Sequence, residues 1–459
     1  MPATEIHNWG KDIFSNPEVI VKPETVEEIQ ALMRDRQRYP SPVRAVGSNH
    51  STTACGVAEG GTLVDMRKMN KILSIDADTI TTQAGTLYID AALALERQGK
   101  QLFVNVELGN LSMGSACTGG TKDASMPGEV GQVCSYATRI KMVSPSGELI
   151  EFDESDPKAL QYARSSYGLF GIVYEVTFKV QKLRPMKIYH EGYTLEAFIQ
   201  RLPELTARDE SMMFYFFPHE DRIMVEYRAY QDGERFSRRW VWKVRNWVWK
   251  SFAPTYGWFV SKYVPWRGLR YWLVDTLNKI VRWVQCGMLH GERTSPTAQM
   301  IRYPETSGRS KYTFSIWAFP EEEYPAILRD YFAFCKDYYR KTHWRCDMLN
   351  VGYRIAEDRG SLFSYSHSGK VMTLDPVATG AHGWDEFLRA YNDYCVKRGG
   401  VPLFNQTKWI LPEQACQAFD GRIAEFREQV ERYDPEQRML NQYFRERVFQ
   451  DCPASTGEA

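Results

Sequence analysis

Apolar positions along the chain follow two different spacings, and the change between them divides it. Between residues 16 and 182, short apolar runs at strand period alternate with stretches at helix period. Glu18-Val-Ile-Val-Lys22 predicts a strand. Pro23-Glu-Thr-Val-Glu-Glu-Ile-Gln-Ala-Leu-Met33 predicts a helix opened by Thr25, with Glu28 three residues later at capping-box spacing. Strands follow at 42–46 and 62–66, then a hairpin-like pair at 71–76 and 79–85, then a helix over 88–98 stopped by Gly99. Further strands are expected at 137–144, 149–152 and 172–180, the turn Pro145-Ser-Gly147 joining the first two. Alternation of this kind means an α/β or α+β domain.

From 183 to 411 the pattern changes to that of an antiparallel sheet with amphipathic helices between its strands. Met212-Met-Phe-Tyr-Phe-Phe217, Met224-Val-Glu-Tyr-Arg228, Tyr312-Thr-Phe-Ser-Ile-Trp317, a run over 348–355 and Val371-Met-Thr-Leu374 predict strands; 321–340 and 384–398 predict helices. A terminal segment, 412–459, is helical and charged over most of its length. Within the second region, residues 235–283 carry eight tryptophans and eleven Lys/Arg against one acidic residue, Asp275. Basic, tryptophan-rich amphipathic segments suit the headgroup zone of an anionic membrane. The competing reading is a large insert folded against its own domain, but core aromatics do not require so one-sided a charge.

Composition narrows the class. A chain of 459 residues exceeds one ordinary core, so two domains are expected. The formal net charge of zero argues against nucleic acid as the main partner. Nine scattered cysteines form no CxxC pair, and with eight dispersed histidines no metal-site spacing appears. Met1-Pro-Ala-Thr-Glu-Ile-His-Asn-Trp9 has neither a basic start nor an apolar stretch, and no run approaches the roughly 20 apolar residues of a spanning helix. A cytoplasmic protein, soluble or peripheral on a membrane, is the expectation.

Three blocks carry candidate chemistry. Arg44-Ala-Val-Gly-Ser-Asn-His-Ser-Thr-Thr53 leaves one predicted strand through Val46, Gly47, Ser48, Asn49, His50 and Ser51. Its small side chains let several backbone N–H groups converge on one anion. Gly109-Asn-Leu-Ser-Met-Gly-Ser-Ala-Cys-Thr-Gly-Gly-Thr-Lys-Asp123 repeats that openness at Gly109, Gly114, Ser115, Gly119 and Thr121. It is not a GxGxxG leading into a helix, so a Rossmann site is unsupported. In Ser165-Ser-Tyr-Gly-Leu-Phe-Gly-Ile-Val-Tyr-Glu175, two glycines precede a strand and leave Ile172 and Val173 free to meet a flat ring. Two phosphate-friendly loops and one ring-friendly strand in a single domain suggest an extended nucleotide cofactor.

In this order the blocks resemble the FAD-binding domain of the vanillyl-alcohol oxidase family, the PCMH-type fold. Tyr433-Asp-Pro-Glu-Gln-Arg-Met-Leu-Asn-Gln-Tyr-Phe444 is similar to that family's closing motif, and the chain most resembles the aldonolactone-oxidase and alditol-oxidase branch. The resemblance implies an α+β fold. A two-subdomain FAD-binding domain (16–182) would be followed by an antiparallel-sheet substrate domain (183–411) carrying the insert and by a terminal segment (412–459) returning to the FAD domain. It implies FAD with its pyrophosphate on the 46–51 loop, the 109–123 stretch along pyrophosphate and isoalloxazine, and Ile172–Val173 near the adenine. His50 matches the histidine often bonded to the flavin 8α-methyl group in sugar-lactone oxidases, a reaction suited to a neutral imidazole nitrogen. Cys117 lies in Ala-Cys-Thr rather than a Cys-Pro context, so a second covalent link is not expected.

The family's C-terminal His-Trp-Gly-Lys pattern is replaced by Gly400-Val-Pro-Leu-Phe-Asn-Gln-Thr-Lys408. Lys408 would stand in for the active-site lysine, with Asn405 and Gln406 as alternatives in register, and a lysine beside an apolar flavin pocket can act as a base. Asn350-Val-Gly-Tyr-Arg354 resembles the strand bearing a Glu-x-Arg in alditol oxidases; Arg354 matches and Gly352 replaces the glutamate. Lys122 stands where many relatives have a histidine and could stabilise the anionic reduced flavin. His367 and Tyr365 are weaker candidates. The expected activity is oxidation of a CH–OH group of a sugar lactone, polyol or lipid-type alcohol, with O₂ or a quinone as acceptor. The insert and the missing glutamate favour a less polar substrate met at a membrane. Alternatives are an FAD-dependent reductase of a lipid or sterol C=C bond and a non-catalytic flavin-binding membrane scaffold.

Overall fold

The computed structural model describes residues 5–450 apart from 209, 234–235, 238–239, 309–310 and 420. Three of the insert's cations, Arg235, Arg238 and Arg239, and the end of the 412–459 segment therefore lie outside the described residues.

The first half holds two sheets. Val19–Val21, Thr62–Asp65 and Val43–Val46 form a small parallel sheet with Thr62–Asp65 in the centre. The helix Val26–Arg34 connects its first two chain segments. Thr25 Oγ1 accepts from Glu28 N at 3.3 Å while Glu28 Oε2 reaches back to Glu24 N at 2.7 Å, and Ile29, Leu32 and Met33 face the core. The second sheet is antiparallel, in the order Leu149–Asp153, Ala137–Val143, Ile172–Lys182, Thr79–Gln83, Ile72–Ile75. Alternation is plain in Thr79–Gln83, where Ile80 and Thr82 are buried and their neighbours are half-buried.

The second half is built on an eight-stranded antiparallel sheet. Ser211–Phe217 lies between Arg222–Tyr230 and Asn350–Ile355, and Val371–Leu374 follows beyond. Val371–Leu374 spans the residues that the pattern predicts. The 312–317 run does not form one strand: Thr313–Phe314 pairs with Val377–Ala378, and Trp317–Pro320 pairs with Val371–Leu374. Between the two pieces the Ile316 carbonyl accepts from Thr407 Oγ1 at 2.7 Å rather than from a neighbouring strand. The architecture is α+β.

The charged terminal segment forms helices Pro412–Phe419, Gly421–Tyr433 and Gln442–Val448. They pack back on the first half: Val43 N donates to Arg438 O at 2.9 Å, and Asn441 Nδ2 donates to Ala54 O at 3.0 Å. The insert forms helices Val241–Trp247, Ala253–Tyr263 and Arg267–Met288, the first two joined by a π-helical turn, Val248–Phe252. Among the described residues no helix is long and apolar enough to cross a membrane.

Candidate active site

The Val43–Val46 strand delivers its following loop to a cleft. Val46, Gly47, Ser48, Asn49, His50 and Ser51 line one side; Gly114, Ser115, Gly119 and Thr121 line another, and Val173 closes one end. A side chain at Gly47 would overlap Ser112 Oγ, and one at Gly114 would press on Ala84, so both positions are fixed by close approach. Side-chain hydroxyls anchor the loop: Ser48 Oγ donates to Asn110 O at 2.5 Å and Ser51 Oγ to Asn405 O at 2.7 Å. Among the described residues the backbone N–H groups of Ser48, Asn49 and His50 meet no backbone carbonyl, which suits an anionic pyrophosphate. Gly109 and Ile172 do not line the cleft. Gly109 N donates to Ile301 O at 3.0 Å in a close chain crossing, and Ile172 is fully buried on the core face of its strand, opposite Val173.

His50 is held between the cleft and a second chamber, lining both. Its ring stacks on Trp9 with centroids 4.9 Å apart, and Nε2 is buried without a hydrogen-bond partner. Burial lowers its pKa to about 4, so the imidazole is neutral and its lone pair free at ordinary pH. An orphaned imidazole nitrogen, an unspent set of loop amides and glycines where a Cβ would collide together fit FAD.

Beyond Leu108, Thr121 and Gln406, which line both spaces, the cleft adjoins an aromatic cavity. Strand alternation supplies its walls: Met213 and Tyr215 from one strand, Val351 and Tyr353 from the next, with Tyr303, Tyr312, Phe314 and Trp249 completing it. Its charged groups are Glu107 and the pair Lys122 Nζ–Asp375 Oδ2 at 2.8 Å, the two side chains of the pair almost fully buried. Burial lowers the Lys122 pKa; burial raises that of Asp375 against the pull of Lys122. Lys122 Nζ also sits 3.6 Å from the centre of the Tyr353 ring, and Asp375 Oδ1 has no hydrogen-bond partner. Behind the pair, Asp123 is held by Arg228 at 3.0 Å, Arg228 by Glu226 at 2.6 Å, and Glu226 by His190 at 2.9 Å. Tyr215 OH donates to Glu226 at 3.1 Å, connecting this buried chain to the cavity wall.

The other expected residues lie elsewhere. Lys408 lines the second chamber, where Nζ is 3.1 Å from both Asp12 Oδ2 and Asp385 Oδ1. Gln406 rather than Lys408 borders the aromatic cavity, with Asn405 in the cofactor cleft. Arg354 makes a bidentate pair with Glu321 at 2.7 and 3.0 Å. It shares the strand face of Gly352, opposite Val351 and Tyr353, because successive side chains alternate. A glutamate at 352 would meet Phe216 and Thr373 rather than a substrate, so its absence carries no information about polyol binding. Tyr365 is buried in an apolar cluster, and His367 is half-buried and lines neither the cleft nor the aromatic cavity.

Sequence reasoning missed Asp375, Trp9, Glu107 and Arg44. Asp375 is an acidic residue closing an all-buried strand before Pro376, a signal that was available. Trp9 lies outside any periodic element and reaches His50 only through the fold. Glu107 lines the aromatic cavity and pairs with the insert's Arg245 at 2.8 Å. Arg44, buried, donates to Tyr167 O at 2.6 Å and Met439 O at 3.0 Å, tying the loop to the chain's closing motif.

Residues 17–153 match the family described as FAD binding domain. The chain is 22% identical over 327 residues to L-gulonolactone oxidase of Mus musculus, covering 70% of each chain. It is 25% identical over 224 residues to L-gulono-1,4-lactone dehydrogenase of Mycobacterium tuberculosis, covering 48% of this chain and 50% of that one. Cholesterol oxidase from Brevibacterium sterolicum superposes with a TM-score of 0.76 at 12% identity, covering 97% of this chain and 96% of that one; this is a likeness of fold.

Proposed function

We propose that this chain, an FAD-dependent oxidoreductase of the PCMH-type fold, oxidises the CH–OH group of an apolar, lipid-type alcohol at the Lys122–Asp375 pair. The relatives' names, oxidases and dehydrogenases of sugar lactones, supply the reaction class. The observation that carries the substrate class is the cavity lining, which sets the Lys122–Asp375 pair and Glu107 among Met213, Trp249, Tyr303, Phe314 and Tyr353. Polar groups are present at Glu107, Gln406 and the tyrosine hydroxyls, but apolar atoms make up most of the wall, which favours an alcohol carrying a hydrocarbon body.

FAD, when bound along residues 46–51 and 114–121, supplies the hydride acceptor. The protein handles the proton. Asp375 Oδ1, buried and unpartnered on a cavity-lining residue, accepts the hydroxyl proton, while Lys122 holds the other carboxylate oxygen and keeps the base charged inside a low-dielectric cavity. Tyr353 stacks under the ammonium and fixes it. Anaerobic mixing with sugar lactones, polyols, fatty alcohols and sterols tests the reading. Bleaching by fatty alcohols or sterols is the expected result; bleaching by sugar lactones alone overturns the substrate class. Peroxide release, set against reduction of a soluble quinone analogue, distinguishes the two acceptors. The same apolar lining also suits a C=C reductase, and NADPH-driven turnover of a lipid alkene without alcohol bleaching would select that reading.

A lipid-type substrate requires a membrane contact, and the insert supports one. Trp240, Trp247, Trp266, Trp272 and Trp283 are all more than half exposed, and so are Phe259, Tyr263 and Ile280. On the long helix, Trp272, Lys279, Ile280 and Trp283 recur at helical spacing on one face. Exposed aromatics beside exposed Lys243, Lys262, Arg267 and Lys279 match the headgroup zone of anionic lipid.

A further inference from the structure

The three insert helices do more than present rings to solvent. Between Val241–Trp247 and Arg267–Met288 runs a groove lined almost wholly by apolar side chains, among them Val244, Val248, Phe252, Ile280, Val284 and Met288. At its inner end stands Trp249. The same indole lines the aromatic cavity that adjoins the cofactor cleft, and it packs against the two hydrophobic clusters that hold Tyr215 and Tyr303. The half-buried Trp249, with the Arg245–Glu107 pair beside it, thus stands between the groove and the Lys122–Asp375 chamber. Trp249 lies on the π-helical turn Val248–Phe252, a widened turn of the kind that recurs at functional sites.

A second observation points to a ligand. Gln285 lines the groove, is only 6% exposed, and neither its Oε1 nor its Nε2 has a hydrogen-bond partner. A buried amide left without partners is destabilising, so a ligand that supplies one is favoured. In a trough whose other polar lining residue is Arg245, committed to Glu107 and Gln299, it is suited to meet a single oxygen function on an apolar chain.

We propose that this groove is the passage by which a long-chain alcohol leaves the membrane for the flavin-side cavity, with Gln285 receiving its hydroxyl on the way and Trp249 as the inner partition. The proposal rests on the membrane reading given above and adds the route to it. The occupant is one hydrocarbon chain, because the groove is bounded by one helix pair, shares Trp249 with the reaction cavity and lies among the exposed basic and aromatic residues of the insert.

The test uses the full-length flavoprotein on vesicles of mixed phosphatidylcholine and phosphatidylglycerol carrying a trace of hexadecanol with a mid-chain diazirine. After irradiation, adducts are mapped by peptide mass spectrometry. Adducts on Val284 or Met288 and on Tyr303 or Met348 are expected. Val284→Asp should remove the inner adducts by about tenfold or more, since a charge in an apolar trough is strongly disfavoured, without changing vesicle pelleting. Gln285→Leu, a milder change that preserves the fold, should erase the preference for the alcohol over a diazirine hexadecane. Adducts confined to Trp266, Trp272 and Trp283 would overturn the passage and leave the membrane reading standing. Absence of pelleting at low salt would overturn the membrane reading itself. Groove adducts suppressed as a dimer forms would assign the face to a second copy of the chain and also overturn the passage.

Discussion

His50 and Asp375 show how burial sets chemistry one residue at a time. With its pKa near 4, His50 stays neutral in the folded state while the unfolded chain takes up a proton near pH 6.5. Stability should therefore fall as pH drops from about 6.5 towards 4, by up to about 1.4 kcal/mol per pH unit, and His50→Gln should flatten that slope in chemical denaturation. The same free nitrogen is placed to bond the flavin covalently: acid-precipitated protein should stay yellow, and His50→Ala should release its flavin to the supernatant. Colour lost from the wild-type pellet would remove the tether. Asp375 is followed through rate rather than stability, and rate responds to pH in the same direction. Its raised pKa means that the base form is lost as pH falls through a value above the usual carboxylate range, so flavin reduction should accelerate with rising pH. Lys122→Met takes away the compensating charge, leaves the carboxyl buried without its cation, and should move that profile to higher pH. Asp375→Asn should slow flavin reduction by about 10²-fold or more, while Lys408→Met, which removes a cation already shared by two carboxylates, should leave it within a few-fold. Rapid-mixing absorbance across pH measures all three.

At the scale of elements, Gly47 shows how the parallel sheet and the short helix Met113–Thr118 depend on one another. A methyl group there would strike Ser112 at the start of that helix, so Gly47→Ala should weaken FAD binding roughly tenfold to a hundredfold, the effect of about 1–3 kcal/mol of overpacking. Ser112→Gly in the same chain should restore it, read as flavin content and as the thermal stabilisation given by added FAD. Such close approaches were partly legible, because small residues clustered in sequence around 47, 114 and 119, and all of these line the cleft. Gly109 has the same appearance in the sequence but owes its size to Ile301, almost two hundred positions away, which no local pattern announces. Strands were legible where both faces are buried, as in Val371–Leu374, and misjudged where a side chain intercepts the ladder, as Thr407 does at Ile316. Arg354 was read through a motif, yet the alternation of its strand turns it towards Glu321 and gives the cavity Tyr353 instead. Asp375 went unread because its partner, Lys122, lies in the other half of the chain, and only the fold brings the two charges to 2.8 Å.

Over the whole molecule the decisive quantity is the uneven placement of charge. Cations and anions balance at 57 each, but the insert holds eleven of the cations and one of the anions, so the remainder carries an excess of ten negative charges. A neutral protein with one strongly basic lobe is a large dipole, and near an anionic surface the field orients the lobe inward before any ring inserts. Each Lys or Arg at such a surface contributes about 1 kcal/mol, and the interaction decays within about 10 Å at ordinary salt. Two components should therefore separate experimentally. Replacing the exposed Lys243, Lys262, Arg267 and Lys279 with glutamate should abolish binding to phosphatidylglycerol vesicles, whereas replacing Trp266, Trp272 and Trp283 with serine should leave low-salt binding in place but make it fully reversible by salt. Flotation assays across a salt series read both outcomes, and equal binding to neutral vesicles at every salt concentration would refute the electrostatic component. Arg245 of the same lobe is buried against Glu107 on the cavity wall, so an ion pair ties the basic lobe to the proposed substrate cavity. Lobe substitutions that keep that pair intact should change vesicle binding while leaving the Lys122–Asp375 pH profile where it is.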